Sequence, residues 1–166
     1  MLRLHFIPMN RIILLFLLVL GTLALHAQKQ DYVWIFGDST GLDFNTPVPT
    51  PLTSVNIYSI ENSSSISDSH GNLLFYCSAS FGTDTISLKN RMFLTMPNGN
   101  QINGGASATQ GSIIVPFPAD TMKYYLFSIG VTSGPGFSYS IIDMSQNGGL
   151  GAVIQKNVPL ENFNAV

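Results

Sequence analysis

The chain has 166 residues, 45% of them hydrophobic and only 10% charged, with a formal net charge of −2. Beyond residue 27 only Lys29, Lys89, Arg91, Lys123 and Lys156 stand against nine acidic residues, so the sequence offers no basic run and neither nucleic acid nor anionic lipid is expected as a partner. The single cysteine, Cys77, allows no internal disulfide, and a folded domain must rest on its core.

The N-terminus reads as a secretory signal over residues 1–27. Arg3 and Arg11 supply a basic start, and Ile12–Leu25 forms an apolar run ending near His26-Ala27. That run falls short of the roughly 20 apolar residues of a membrane span, which predicts cleavage after Ala27 and no span thereafter. An uncleaved signal anchor is the alternative. The remaining domain, 28–166, is expected outside the cell or on its surface.

From residue 30 onward no sustained helical stripe appears. Short apolar or alternating runs recur between turn residues, the pattern of an all-β domain with many short strands. Tyr32–Phe36 is the first strand, followed by a turn over Gly37–Gly41. Thr46–Pro51, with three prolines, reads as a loop, and Val55–Ile60 as a weak strand. Ser65–Ser67, the turn around Asp68, Gly71 and Asn72, and the strand to Ser78 make a hairpin. Arg91–Met96 reads as a strand ending at Pro97-Asn98-Gly99. Residues 103–111 are rich in Gly, Ala, Ser and Thr and read as a loop. Ser112–Val115, Lys123–Ile129, Phe137–Met144 and Ala152–Val158 complete the set, with a turn at Asn147–Gly149.

A repeat runs through this order. "SISDSHGNLLFYCSA" (65–79) aligns with "SIIVPFPADTMKYYLFSIG" (112–130), each a Ser-Ile strand, an Asp-bearing turn and an aromatic strand. Four strands per repeat of about 50 residues is the unit of a β-propeller blade. The expected fold is therefore antiparallel four-stranded sheets, β-propeller-like, about two blades of an incomplete ring; a β-sandwich is the alternative. Face patterns support blades. Leu73, Phe75 and Cys77 are expected on one face of their strand and Leu74 and Tyr76 on the other, both apolar. Phe137, Tyr139 and Ile141 likewise oppose Ile142 and Met144.

"WIFGDSTGLDF", "ISDSHGNLLFYCSA", "MPNG", "GSIIVPFP…YYLFSIG" and "YSIIDMSQNGGLGAVIQKNVPL", spread over about Asp31 to Leu160, resemble segments of a known group. These are large secreted proteins of Bacteroidetes that begin with a propeller-like region and end in a gliding-motility-associated, type IX secretion sorting domain. The resemblance implies a surface or secreted module and assigns no chemistry. Members continue through further blades to a sorting domain that this sequence lacks, so it implies a fragment. Its open blade face would then meet the remaining blades or further copies of the chain.

Candidate sites are few. Asp68, Gly71 and Asn72 do not fit the alternating oxygens of a calcium loop and read as a structural turn. His70 is the only histidine after residue 27, so no zinc set with Cys77 can be assembled. A Cys77–His70 nucleophilic pair lacks the electropositive setting of a reactive thiol. Gly37-Asp38-Ser39 is esterase-like in letters but has no following helix or partner histidine. Asp43, Asp84, Asp120 and Glu161 are scattered. No catalytic residue, metal or cofactor is expected. Asp-Ser/Thr-apolar triplets mark Ser39, Thr85 and Thr121 as O-glycosylation acceptors in that lineage, each expected in a loop. The expected function is a non-catalytic structural, adhesion or binding module with a protein or glycan partner. A part of an exported enzyme acting on polysaccharide is the alternative.

Overall fold

The computed structural model describes residues 28–79, 83–130 and 136–161. Among these every regular element but one short 3-10 turn, Asn147–Gly149, is a strand. The strands form three antiparallel sheets.

The first sheet comprises β1 (Val33–Phe36), β2 (Asp38–Asp43) and β3 (Thr50–Tyr58), in that order. The sequence predicts only two strands here. The turn expected over Gly37–Gly41 is confined to its start, where Gly37 (φ +66) and Ser39 (φ +57) take left-handed backbone. Gly41 does not turn the chain. It pairs opposite Ile35, and a Cβ there would lie 2.6 Å from the Trp34 carbonyl oxygen and 2.9 Å from Ile35 Cδ1. Its lack of a side chain lets β1 and β2 approach, so the second half of the expected turn is the middle strand. The expected loop over 46–51 also ends early. Pro51 lies within β3, which is an edge strand of the sheet. Proline is tolerated there because an edge strand has one side without ladder bonds.

The second sheet has the order β4 (Ser63–Ser67), β5 (Leu73–Ala79), β6 (Thr85–Asn90), β7 (Ile102–Asn103). The expected strand at Arg91–Met96 is instead a turn, and the strand is β6 just before it. The Asn90 side chain decides this: its Oδ1 accepts from the backbone amides of Met92 (2.9 Å) and Leu94 (3.3 Å). Phe93 then takes φ +62, and only Thr95 bridges back, to Lys89. The side-chain bond supplies the backbone with a partner that competes with a ladder. The small-residue stretch 103–111 is a connection, as expected, yet Gly104, Gly105 and Ala106 are buried.

The third sheet repeats the pattern: β8 (Ser112–Pro116), β9 (Lys123–Ile129), β10 (Phe137–Asp143), β11 (Ala152–Glu161), each paired with its sequence neighbour. Ser63 pairs with Ser78 in the second sheet and Ser112 with Ser128 in the third. The four-strand repeat read from the sequence is therefore present twice, beside a three-stranded sheet that the sequence does not announce.

The sheets stack face to face. Val33, Ile35, Val55 and Ile57 of the first pack on Tyr76 of the second. On the other side, Phe75, Cys77, Ala79, Ile86 and Leu88 pack on Ile114, Tyr124, Leu126, Ile142 and Val153 of the third. Phe75 meets Tyr124 edge to face at 5.5 Å. Each such side chain contributes about 1.5–3 kcal/mol on burial, so two filled layers hold the stack without a disulfide. The middle sheet is covered on both faces, which a two-layer sandwich does not require. The first strands lie side by side, β1 against β4 and β4 against β8, as the inner strands of successive blades do. The fold is all-β and propeller-like, and the ring is not closed.

Two expected faces are corrected. Ile66 pairs with Phe75 but Ser67 with Leu73, so Leu74 is an extra residue in a β-bulge. Leu73 therefore packs between the first and second sheets, and Leu74 between the second and third, the reverse of simple alternation. In the third sheet Phe137, Tyr139 and Ile141 do share a face, but it is only half-buried, while Ser138, Ser140 and Ile142 are covered.

Candidate functional site

The hairpin turn between β4 and β5 gathers the chain's reactive letters. Asp68 Oδ1 accepts from the backbone amides of His70 (2.8 Å) and Asn72 (2.9 Å), and Oδ2 accepts from the Asn72 side-chain amide (2.9 Å). The backbone closes the same loop, with Asp68 N–H donating to the Asn72 carbonyl and Gly71 N–H to the Asp68 carbonyl. Gly71 has φ +91, and a Cβ there would fall 2.1 Å from Asn45 Oδ1. Asn45 in turn donates to the Gly71 carbonyl at 2.8 Å, tying the turn to the first sheet. Burial pushes the Asp68 carboxyl up, but the Asn72 side chain and the two backbone amides outweigh it and hold it below its ordinary value. Both oxygens are thus spent on the turn.

The same device recurs. Asp43 Oδ1 accepts from Asn45 N–H, Asp120 Oδ1 from Met122 N–H and Asp143 Oδ1 from Ser145 N–H, each at 2.8–2.9 Å. Lys123 adds an ion pair to Asp120 at 2.8 Å, and its hydrogen bond lowers that carboxyl. The Ser145 hydroxyl does the same for Asp143. Of the acids scattered in sequence, Asp43 and Asp120 are turn closers in space, as Asp68 and Asp143 are.

Cys77 is fully buried, and burial pushes its thiol up. Its Sγ lies 3.0 Å from Ser112 Oγ and 3.2 Å from Ser64 Oγ, and accepts from Ser64 N–H. Ser112 Oγ donates to Asn62 Oδ1 at 2.6 Å, and Asn62 Nδ2 donates to the Gly105 carbonyl. This polar thread joins β4 to β8 inside the core, where such groups must be paired. Nothing in the sequence marks Asn62 and Ser112 as its members; Ser112 reads there only as the start of a strand. His70 is exposed at the turn, its ring 3.5 Å from Ser69 Oγ, and is not brought to Cys77.

Of the three candidate acceptors, only Thr121 lies in an exposed turn. Ser39 is exposed but sits in β2, and Thr85 opens β6, its hydroxyl 3.2 Å from that of Thr83. The expected loop position is thus corrected for both. Among the described residues, no group of three or more His, Cys, Asp or Glu is placed to hold a metal ion. Among them, too, no helix is long and apolar enough to cross a membrane.

Two aromatic surfaces remain, half-buried on the third sheet and half exposed at Trp34, and the sequence does not single them out. On the outer face of the third sheet Phe117 and Tyr125 stack at 4.8 Å, Tyr125 and Phe127 at 5.5 Å, and Phe127 and Phe137 at 6.0 Å. Tyr139 closes edge-on against Tyr125. On the outer face of the first sheet Trp34 is half exposed and lies 5.0 Å from Phe44. These two rings, with Asp31, Tyr32 and Thr46, line a shallow cleft of about 370 Å³. Comparison with protein-family models, curated proteins and solved structures finds no match to the chain.

Proposed function

We propose that the chain is a non-catalytic exported module, of the kind that begins large type IX-secreted surface proteins of Bacteroidetes, and that it serves structure, adhesion or the binding of a protein or glycan. The observation that carries this reading is how the reactive side chains are used. Asp43, Asp68, Asp120 and Asp143 bond to backbone amides within their own turns, and Cys77 is sealed in a core thread. Catalytic acids are held the other way, with an oxygen aimed at open space and a perturbed affinity for protons. The signal-like N-terminus and the resemblance in "WIFGDSTGLDF" and "GSIIVPFP" support export.

Antibody labelling of intact native cells tests the reading. Labelling at the surface or capture from the medium is expected; retention of the whole pool in the cytoplasm contradicts it. Within the same reading Thr121 is the best placed acceptor for an O-glycan, being exposed in the β8–β9 turn, with Ser39 next. Intact mass from the native host should exceed the protein mass, and Thr121→Val should reduce it; an unmodified mass removes the glycan from the account.

A further inference from the structure

The turns at one end of the strands meet over the seam between the first and second sheets. Asp43 closes β2, Gly71 and Asn72 precede β5, and the turn from Arg91 follows β6. Between them lies a cleft of about 300 Å³. Its floor is apolar, formed by Val33, Leu52 and Leu73 of the first core, and Phe93 makes one wall. Its rim is polar, with Asp43 and Asn45 from the first sheet and Asn72 and Arg91 from the second. Every lining residue is among the described ones. The cleft opens at the strand ends, so it stands whatever packs on the outer faces of the stack.

The rim side chains are held in place before any ligand arrives. Asn45 Nδ2 donates to Asp43 Oδ1 and to the Gly71 carbonyl, each at 2.8 Å, which fixes both Asp43 and Asn45. That bond across the seam needs Gly71, because a side chain there would displace Asn45. Asn72 Nδ2 is held by Asp68 Oδ2 at 2.9 Å, and Arg91 Nη1 by the Gly149 carbonyl at 2.7 Å. Among the described residues, Asp43 Oδ2 and Asn72 Oδ1 meet no donor, and Arg91 Nε and Nη2 meet no acceptor. Phe93 is kept at φ +62, a left-handed backbone that a bulky residue rarely takes. The Asn90 side chain holds the residues on either side of it, and Asn56 Nδ2 donates to its carbonyl at 3.3 Å. Strain of this kind collects at binding sites.

We propose that this cleft binds one neutral sugar ring, the end of a glycan. The site gives a place to the binding role proposed above and rests on it. Three features select this ligand. The volume lies at the lower end of the ~300–1,000 Å³ of ligand pockets and suits a single ring with its substituents. Asp43 and Arg91 bring opposite charges to one rim, so neither an anion nor a cation is favoured. Hydroxyl groups serve both, donating to Asp43 Oδ2 and Asn72 Oδ1 and accepting from Arg91. Phe93 and the two leucines match the C–H side of a pyranose, which an aromatic ring attracts with its electron-rich face. Because the polar groups are already oriented, little freedom is lost on binding.

Saturation-transfer difference NMR on the full chain tests the proposal. The probes are the methyl glycosides of glucose, mannose, galactose, fucose and N-acetylglucosamine, with N-acetylneuraminic acid and leucine as charged controls. At least one neutral glycoside should receive saturation, and neither control should. Asp43→Asn keeps Oδ1 for its turn, and Phe93→Asn suits the left-handed backbone, so both should fold as the parent does by far-ultraviolet dichroism. Asp43→Asn, Phe93→Asn and Arg91→Gln should each weaken the responding glycoside by about tenfold or more. Gln155→Ala, exposed in β11, should leave it unchanged. Should Phe93→Asn fail to fold, Asp43→Asn and Arg91→Gln carry the measurement. No transfer to any neutral glycoside overturns the proposal, but not the surface location, which antibody labelling reads separately. So does binding of N-acetylneuraminic acid or leucine in their place, and so does a glycoside response that every folded variant retains.

Discussion

At the scale of the residue, Asp68 is the clearest case of a reactive letter used for shape. Asp68→Ala removes an acceptor from two backbone amides and should cost about 1–2 kcal/mol, read by chemical denaturation, while Asp68→Asn, which keeps Oδ1, should cost less. The sign of the pH dependence follows. The folded carboxyls of Asp68, Asp120 and Asp143 lie below their unfolded values, so their stabilisation is present above the ordinary carboxylate value of about 3.9 and is lost as pH falls through the lower folded values. Acid unfolding should therefore steepen below about pH 4 and be shallower in Asp68→Asn. Tyr76 runs the other way. Burial pushes its hydroxyl up to about 12, and it donates to the Asn56 carbonyl at 2.8 Å. That stabilisation is present below the unfolded value of about 10 and is lost as pH rises from there to the folded value, so alkaline titration at 295 nm should show late tyrosine absorbance, to which Tyr124, also raised by burial, contributes, and the part due to Tyr76 should be absent in Tyr76→Phe. Ser67 offers a contrast. Among the described residues its buried hydroxyl has no partner, so Ser67→Ala should leave the melting temperature unchanged or raise it.

At the scale of the element, the sequence is legible where propensity and partner agree. β9 is read to the residue, because apolar alternation, a preceding Asp turn and a following glycine all point the same way. Legibility fails where a side chain redirects the backbone. Arg91–Met96 looks like a strand because Met92, Phe93 and Leu94 are apolar, and only the buried Asn90 amide makes it a turn. Asn90→Ala should cost about 1–3 kcal/mol and speed hydrogen exchange in residues 91–96 while β6 stays protected. Glycine is the second source of error. Gly41 reads as a turn signal in sequence, but its role is to admit Trp34 and Ile35 at close range, which needs the neighbouring strand to be known. The bulge at Leu74 is the third: one extra residue exchanges the two core-facing leucines, and no local pattern announces it.

At the scale of the whole molecule, the repeat is what the sequence conveys best and the stacking least. "SISDSHGNLLFYCSA" and its second copy place β4–β5 and β8–β9 in matching sheets, but the sheet before them comes from a stretch broken by three prolines. The turn chemistry of Asp68 and the polar thread through Cys77 and Ser112 share one role in this arrangement: they fix the register in which the inner strands meet. The order of the layers makes a directional claim: among the described residues the second sheet is covered on both faces and the third on one. Thermal unfolding of four single lysine substitutions tests it most directly. Tyr76→Lys, Cys77→Lys and Leu126→Lys each place a charge between sheets and should abolish the cooperative transition, whereas Phe127→Lys, on the outer face, should keep it. A cooperative transition retained in Tyr76→Lys or Cys77→Lys, or lost in Phe127→Lys, would contradict the stacked order of the three sheets.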